Sequence, residues 1–270
     1  MKDSVTVVTI TRHRPPLLRR CMESVRNQDF RGTLRHLIVV DDCPQTLNWL
    51  SESLPQNSNL RYLLAPRTPE EHSGPPRLAK LRNYAHKLVD ATWTALLDDD
   101  NEWESHHVSS LLGCAIEAGC DVVHSHRQLF RADGTPFLEQ RMPWCRDPRQ
   151  AETRYWELVE RGVLEVGSNI MKDRVDPNSD KSGIRIADTS EWLVKTAVLR
   201  GIRIPEEFTY QDWLDNLAED DRLLEALGDG RRIACTRLPT LKYYLGGYSN
   251  DFDGSSGHSE RWIFRNGTAK

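Results

Sequence analysis

Short apolar runs alternate with amphipathic segments through the first 125 residues. Runs at 5–10, 37–40, 60–64 and 93–97 predict buried strands, because each is too short for a typical helix. Apolar residues recur at three- and four-residue spacing after Pro15 and over 77–90 and 105–118, which predicts helices. The order strand, helix, strand, strand, helix, strand, helix predicts an α/β fold with a doubly wound, mostly parallel sheet.

The second half of the chain has a less regular pattern. An Asp-Gly pair at 133–134 predicts a hairpin turn between two short strands. Helices are expected over 189–200 and 213–227, each followed by a glycine. Residues 142–187 are rich in proline and charge, and no element is assigned to them.

Composition excludes several classes of protein. The chain has 270 residues, 38% hydrophobic and 28% charged, with a net charge of −4, so we expect no nucleic-acid partner. We find no signal peptide and no apolar run long enough to span a bilayer, and we expect a cytoplasmic protein that is compatible with peripheral membrane contact. The six cysteines form no C-x-x-C pair and are expected to be reduced. No pattern indicates an oligomeric state.

Three consecutive carboxylates, Asp98, Asp99 and Asp100, follow the apolar run 93–97. Adjacent like charges repel, and a divalent cation bound by oxygen ligands relieves this repulsion. Ligands of open α/β sheets bind outside the carboxyl ends of the strands, where this cluster would lie. Asp98 and Asp100 would share one face and could hold Mn²⁺ or Mg²⁺ together with phosphate oxygens. The alternative is a solvated acidic turn.

Five motifs in the first half resemble glycosyltransferase family 2, whose members have the GT-A fold. In chain order they are Thr9-Ile10-Thr11-Arg12-His13-Arg14-Pro15, Ser24-Val25-Arg26-Asn27-Gln28, Val39-Val40-Asp41-Asp42, Arg82-Asn83-Tyr84-Ala85 and Leu97-Asp98-Asp99-Asp100. Glu219-Asp220 is a looser sixth match. The resemblance implies a nucleotide-sugar-binding half over 1–125 and an irregular α+β acceptor-binding half of the same domain over 126–270.

The resemblance also implies how a nucleotide-diphosphate sugar would be bound. Asp41 or Asp42 would accept a hydrogen bond from the nucleobase, which suits the N3–H of uracil and favours a UDP- or TDP-type donor. Thr9 or Thr11 would hold the base or the ribose. The alternative for either aspartate is a cap of the following turn.

Arginines and the acidic cluster complete the donor site that the resemblance implies. Arg82 would bind the diphosphate, since a guanidinium suits phosphate oxygens, although an ordinary surface arginine is the alternative. Arg14, Asp98 and Asp99 are further donor-binding candidates, and the family pattern makes Asp98 and Asp100 the metal ligands. A bound Mn²⁺ or Mg²⁺ would neutralise the leaving diphosphate.

Asp220 is the candidate general base. Family 2 enzymes invert the anomeric centre in one displacement, so the acceptor hydroxyl needs a base on the face opposite the diphosphate. The alternative is that the acidic run at 219–221 only places negative charge at a helix N-terminus. Asp221 and Asp212 are the rival bases. The run at 243–248 is a candidate lid or acceptor loop without the histidine that relatives often carry there.

The sequence therefore predicts an inverting, metal-assisted glycosyltransferase. Its acceptor is expected to be a small molecule, a growing glycan or a lipid-linked intermediate. A sugar nucleotidyltransferase is one alternative, but the loop 11–16 lacks the glycines typical of such enzymes. A catalytically silent sugar-nucleotide-binding protein is the other, and the presence of Asp98, Asp100 and Asp220 argues against it.

Overall fold

The computed structural model describes residues 3–53, 59–145, 147–175, 185–214, 217–247, 264–265 and 268–269. The strands are β1 Ser4–Thr11, β2 Thr33–Asp41, β3 Leu60–Ala65, β4 Trp93–Leu96, β5 Glu102–Trp103, β6 Val122–Phe130, β7 Ile170–Met171, β8 Trp192–Lys195, β9 Ile233–Tyr244, β10 Phe264–Arg265 and β11 Thr268–Ala269. The helices are α1 Pro15–Arg26, α2 Pro44–Ser53, α3 Pro75–Leu88, α4 His107–Ala118, α5 Pro148–Glu160, α6 Thr196–Gly201, α7 Tyr210–Leu214 and α8 Glu219–Gly228. A single 3-10 turn spans Thr189–Glu191.

One sheet of nine strands has the order β3-β2-β1-β4-β8-β6-β9-β5, with β7 paired to β6. Strands β1 to β4 pair in parallel, and β8 runs antiparallel between β4 and β6. The carboxyl ends of β1, β2 and β4 therefore lie at one edge of the sheet. This arrangement confirms the predicted α/β fold with a mostly parallel sheet.

Helices cover both faces of the sheet because the strand residues alternate in direction. Val8 and Ile10 of β1 pack in a core with α3, α6 and α8, whereas Val5 and Val7 pack in a second core with α1 and α4. The predicted helix after Pro15, the helix over 77–90 and the helix before Gly119 are all present, and Gly119 adopts the left-handed conformation (φ 61°) that ends α4. All six cysteines are free thiols.

The prediction of a helix over 189–200 is wrong. This segment forms the 3-10 turn, then β8, and only then the short helix α6. Trp192, Leu193 and Val194 are almost fully buried between β4 and β6, so the sheet determines their conformation. Tertiary packing overrode the local signals, a capping residue and a following glycine, that had predicted a helix.

Other differences also lie in the connections. The helix expected over 213–227 is two shorter helices, α7 and α8, and α2 was not anticipated at all. The turn at 133–134 forms, with Gly134 at φ 85°, but only one bridge follows, between Phe130 and Pro136. Residues 142–187, left unassigned by the sequence, contain α5 and β7. None of the helices in the described residues is long and apolar enough to cross a membrane.

Candidate active site

The acidic cluster follows β4 and meets the turn that follows β1. Thr11 Oγ1 donates a hydrogen bond of 2.6 Å to Asp99 Oδ2. Arg14 Nη1 lies 3.1 Å from Asp99 Oδ1 and 2.7 Å from Asp100 Oδ2. The structure therefore brings together Thr11, Arg14, Asp99 and Asp100, which the sequence had placed at the donor site.

Arg82 of α3 joins the acidic cluster to the start of α8. Its Nη2 lies 3.0 Å from Asp98 Oδ1 and 3.2 Å from Glu219 Oε1. Arg82 and Glu219 are both buried, at 3% and 6% exposure. Glu219 was not assigned a role by sequence reasoning, and its position beside Asp220 in the Glu-Asp motif was the signal that could have found it. The bridge fixes the candidate base on a helix that is anchored to the candidate metal cluster.

Asp220 lies in the first turn of α8, and its two rivals are engaged in local structure. Asp221 accepts a hydrogen bond of 2.8 Å from the backbone N–H of Ala218 and so caps the helix. Asp212 lies 2.6 Å from Arg222 Nη2. Burial raises the pKa of Asp220 well above its ordinary value, and the neighbouring carboxylates of Glu219, Asp221 and Asp188 raise it further.

Asp41 and Asp42 end β2 but have different surroundings. Asp41 is buried and paired with two arginines, Arg67 and Arg77, the latter through an Nε–Oδ1 contact of 2.8 Å. Asp42 is partly exposed, and its backbone N–H donates to Ala65 O at 3.0 Å. Asp42 is therefore the more accessible of the two candidate nucleobase acceptors.

Thr9 lies apart from the other predicted donor-binding residues. Its side chain is fully buried, and its hydroxyl lies 2.9 Å from His36 Nε2. Thr9 precedes Thr11 by two residues, so it shares the same face of β1 but sits one pleat further from the carboxyl edge. The structure gives Thr9 a hydrogen bond with His36 in the core.

The turns after β1 and β2 contain strained backbone. His13 and Asp42 are non-glycine residues with positive φ, at 56° and 45°. His13 Nδ1 lies 3.2 Å from Cys43 Sγ, so the two turns are in contact. Such conformations persist where the surrounding structure enforces them, and they concentrate at functional sites.

The 3-10 turn holds the acidic cluster in place through hydrogen bonds, and the sequence analysis did not predict it. Ser190 Oγ accepts hydrogen bonds of 3.1 Å from the backbone N–H of Asp98 and from Asn101 Nδ2. The Ser190 carbonyl accepts a bond of 2.8 Å from Trp103 Nε1. Asp188 caps this turn through the Ser190 N–H at 2.8 Å. The Asp188 cap and Glu191 three residues later form a capping box, which could have indicated a turn here.

The electrostatics of the acidic cluster favour binding of a cation. Burial raises the pKa of Asp100 to about 7, and the charges of Asp99 and Asp98 add to this rise while Arg14 opposes it. Burial raises the pKa of Asp99 as well. A cation beside these oxygens would stabilise their ionised forms.

The oxygens of the acidic cluster suit a divalent cation, although no cage of protein ligands is preformed around one. Among the described residues, no group of three or more His, Cys, Asp or Glu side chains is already arranged around a metal position. The oxygens of Asp98 and Asp100 are the hard ligands that Mg²⁺ and Mn²⁺ prefer. A Cβ at position 247 would lie 2.8 Å from Asp100 Oδ2, so Gly247 leaves space beside this oxygen, which the Arg14 guanidinium also contacts. Tyr248 of the candidate lid lies outside the described residues.

Comparisons with known proteins agree with this fold. The family model described as "Glycosyl transferase family 2" matches residues 6–171. Among solved structures, S. aureus TarS 1-349 in complex with UDP-GlcNAc has a TM-score of 0.54 at 16% identity, with coverage of 93% of this chain and 61% of TarS 1-349. The mannosyltransferase PcManGT from Pyrobaculum calidifontis, in complex with GDP-Man and Mn²⁺, has a TM-score of 0.57 at 13% identity, with 93% and 59% coverage.

At such low identity, these two structures support the fold alone. The chain spans about 60% of the length of these solved proteins. No curated protein matches it in sequence.

Proposed function

The chain belongs to glycosyl transferase family 2, and on this basis we propose that it is an inverting, metal-assisted glycosyltransferase. It moves a sugar from a UDP- or TDP-type donor to an acceptor hydroxyl. Residues 1–125 hold the nucleotide sugar and residues 126–270 hold the acceptor. The observation that carries the proposal is the Arg82 bridge, which joins Asp98 of the acidic cluster to Glu219 beside the candidate base.

The residues of the site divide the work as follows. Asp42 accepts from the nucleobase, and Thr11 and Asp99 fix the edge of the site where the ribose lies. Arg82 and Arg14 face the diphosphate, because guanidinium groups bind phosphate oxygens through charge-assisted hydrogen bonds. Asp98 and Asp100 hold Mn²⁺ or Mg²⁺, which, when bound, offsets the charge of the leaving diphosphate.

Asp220 removes the proton from the acceptor hydroxyl. A base must be ionised to accept a proton, and the raised pKa of Asp220 makes its carboxylate a stronger base than an exposed aspartate. Asp212 is less suited, because Thr209 and Arg222 occupy both of its oxygens. Asp221 is less suited, because it caps the helix, although Asp220 also accepts a bond of 3.0 Å on Oδ1 from the Asp221 N–H.

The experiment is a nucleotide-release assay over UDP-, TDP- and GDP-sugars, with and without Mn²⁺. We expect metal-dependent release of UDP or TDP and a product whose anomeric configuration is inverted. GDP-mannose is an essential arm, because PcManGT binds it whereas TarS binds UDP-GlcNAc.

The assay also separates the alternative functions. Release of pyrophosphate from a nucleoside triphosphate and a sugar phosphate would indicate a nucleotidyltransferase. Donor binding without turnover across a broad acceptor panel would indicate a silent binding protein. A retained anomeric configuration would contradict the single displacement.

A further inference from the structure

Arginines contact every carboxylate of the acidic cluster. Arg82 contacts Asp98, and Arg14 contacts both Asp99 and Asp100. An arginine side chain stays charged at all ordinary pH values. Residues of the chain itself therefore offset part of the repulsion that predicts a metal ion from the sequence.

Arg14 and a metal ion compete for the same oxygen. Arg14 Nη1 lies 2.7 Å from Asp100 Oδ2, and a divalent cation on that oxygen would lie at about 2.0–2.6 Å. The backbone of Gly247 also approaches this oxygen, since a Cβ there would be 2.8 Å from it. A guanidinium and a hydrated cation cannot both occupy this position.

The contacts of Arg14 with Asp99 and with Asp100 differ in how firmly each carboxylate is held in place. Asp99 is buried, at 6% exposure, and Thr11 fixes its second oxygen at 2.6 Å. The Asp100 side chain is 19% exposed and lies close to the backbone of Gly247. Asp99 can therefore anchor Arg14 while the Asp100 contact opens.

We propose that Arg14 is a built-in counter-cation that holds the metal position in the free protein and leaves Asp100 when a divalent cation binds. This inference rests on the proposed function, which supplies the second half of the exchange: the donor diphosphate gives the displaced guanidinium a new partner. Metal and nucleotide then bind cooperatively, because each removes an obstacle to the other. Such coupling is reciprocal by thermodynamic necessity.

The test measures Mn²⁺ binding without any turnover. Free Mn²⁺ is followed by electron paramagnetic resonance during titration of the wild-type protein, Arg14→Gln and the control Arg19→Gln. Arg19 is an exposed arginine on the same helix, so the control removes the same charge away from the cluster. We expect Arg14→Gln to bind Mn²⁺ alone about tenfold more tightly or better, because a positive charge beside the metal is lost. Arg19→Gln should keep the wild-type affinity.

A second titration with saturating UDP measures the coupling. UDP should tighten Mn²⁺ binding strongly in the wild-type protein and much less in Arg14→Gln, where nothing has to be displaced. Arg14→Lys retains the charge without the planar fork and should lie between the two.

A folding control keeps the proposal falsifiable. If Arg14→Gln does not fold, the double variant Arg14→Gln/Asp99→Asn removes one charge of each sign and preserves the hydrogen bond from Thr11. Equal Mn²⁺ affinity in the wild-type protein and the folded variant, including binding in neither, would overturn the inference. A protein that shows the Arg14 effect but transfers no sugar would lose only the proposed function. A protein that transfers sugar with Mn²⁺ affinity independent of Arg14 would lose only this inference.

Discussion

The cluster after β4 and a cluster around Arg127 each contain three carboxylates, and they neutralise charge in different ways. The open cluster is Asp98 to Asp100, contacted by Arg14 and Arg82. The buried cluster is formed around Arg127, whose guanidinium lies 3.0 Å from Asp173, 3.4 Å from Asp188 and 3.6 Å from Glu191. Side-chain exposure is 31% for Asp98 but 0% for Asp173 and Glu191.

The buried cluster has one arginine for three carboxylates, whereas two arginines contact the open cluster. One arginine faces three carboxylates, so burial raises the pKa of Glu191 to about 8 and that of Asp188 to about 6, and raises the pKa of Asp173 as well. Within the described residues, Asp173 Oδ2 and Glu191 Oε2 have no hydrogen-bond partner as long as both carboxyls are ionised. If one of the two is protonated, it can donate a hydrogen bond to the other. Protons suit a sealed site, whereas cations can enter and leave an open one.

Charged groups of both clusters affect the pKa of Asp220. The pKa of Asp220 is raised by Asp188 of the buried cluster and lowered by Arg82 of the open cluster. A change in either cluster is therefore expected to alter the basicity of Asp220. Variants of each cluster therefore distinguish how the two clusters affect activity and stability.

Asp220→Asn is expected to lower turnover by about 10²–10⁴-fold, because the acceptor hydroxyl loses its base. Affinity for UDP and Mn²⁺ should change little, since Asp220 serves the acceptor and not the diphosphate. In the wild-type protein, turnover should rise with pH until the carboxylate is ionised, at a pH above the ordinary range for aspartate. Steady-state kinetics and UDP calorimetry measure both effects.

The control variants for this prediction are Asp212→Asn and Asp221→Asn. They should cost stability through lost local contacts while retaining most of the turnover. A large loss of turnover in either one, with near-wild-type turnover in Asp220→Asn, would move the base to that residue.

Arg127→Gln is expected to destabilise the protein by about 3–5 kcal/mol near neutral pH, because Asp188, whose pKa of about 6 leaves it largely ionised there, loses its contact with a buried arginine. The loss should be smaller in mild acid, where Asp188 is protonated as Glu191 already is. Urea unfolding at the two pH values measures the difference. Arg131→Gln, at a side chain that is 43% exposed, should change stability by no more than about 0.5 kcal/mol. An equal, pH-independent loss in both variants would contradict the proton-holding account.

The open cluster was predicted from the sequence, whereas the buried cluster was not. Asp98 to Asp100 directly follow an apolar run, so strand alternation and charge repulsion located them. Arg82 reaches Glu219 across 137 positions of sequence, and only the fold brings these two together. Glu191 was assigned to a helix and Asp188 to no element, because the burial that makes this segment a turn and a central strand comes from distant packing.

Asp100→Ala is expected to abolish the effect of Mn²⁺ on UDP binding. The fold should persist, because Arg14 retains Asp99 as a partner at 3.1 Å and one of three repelling charges is deleted. Stability without metal should therefore be unchanged or slightly higher, which contrasts with Arg127→Gln. Calorimetry of UDP with and without Mn²⁺ is the measurement. Wild-type UDP affinity with wild-type Mn²⁺ dependence would rule out Asp100 as a metal ligand.

Glu191→Gln is expected to change how stability varies with pH. The folded protein keeps the Glu191 proton up to about pH 8, whereas the unfolded chain releases it near its ordinary pKa of 4.5. Its contribution is therefore fully present below 4.5 and is lost as the pH rises towards 8. Glutamine is neutral throughout, so the free energy of unfolding should decline less steeply over this range in Glu191→Gln. Urea unfolding across the range measures the slope, with exposed Glu157→Gln as the control. Parallel slopes in the wild-type protein and Glu191→Gln would show that folding does not raise the pKa of Glu191.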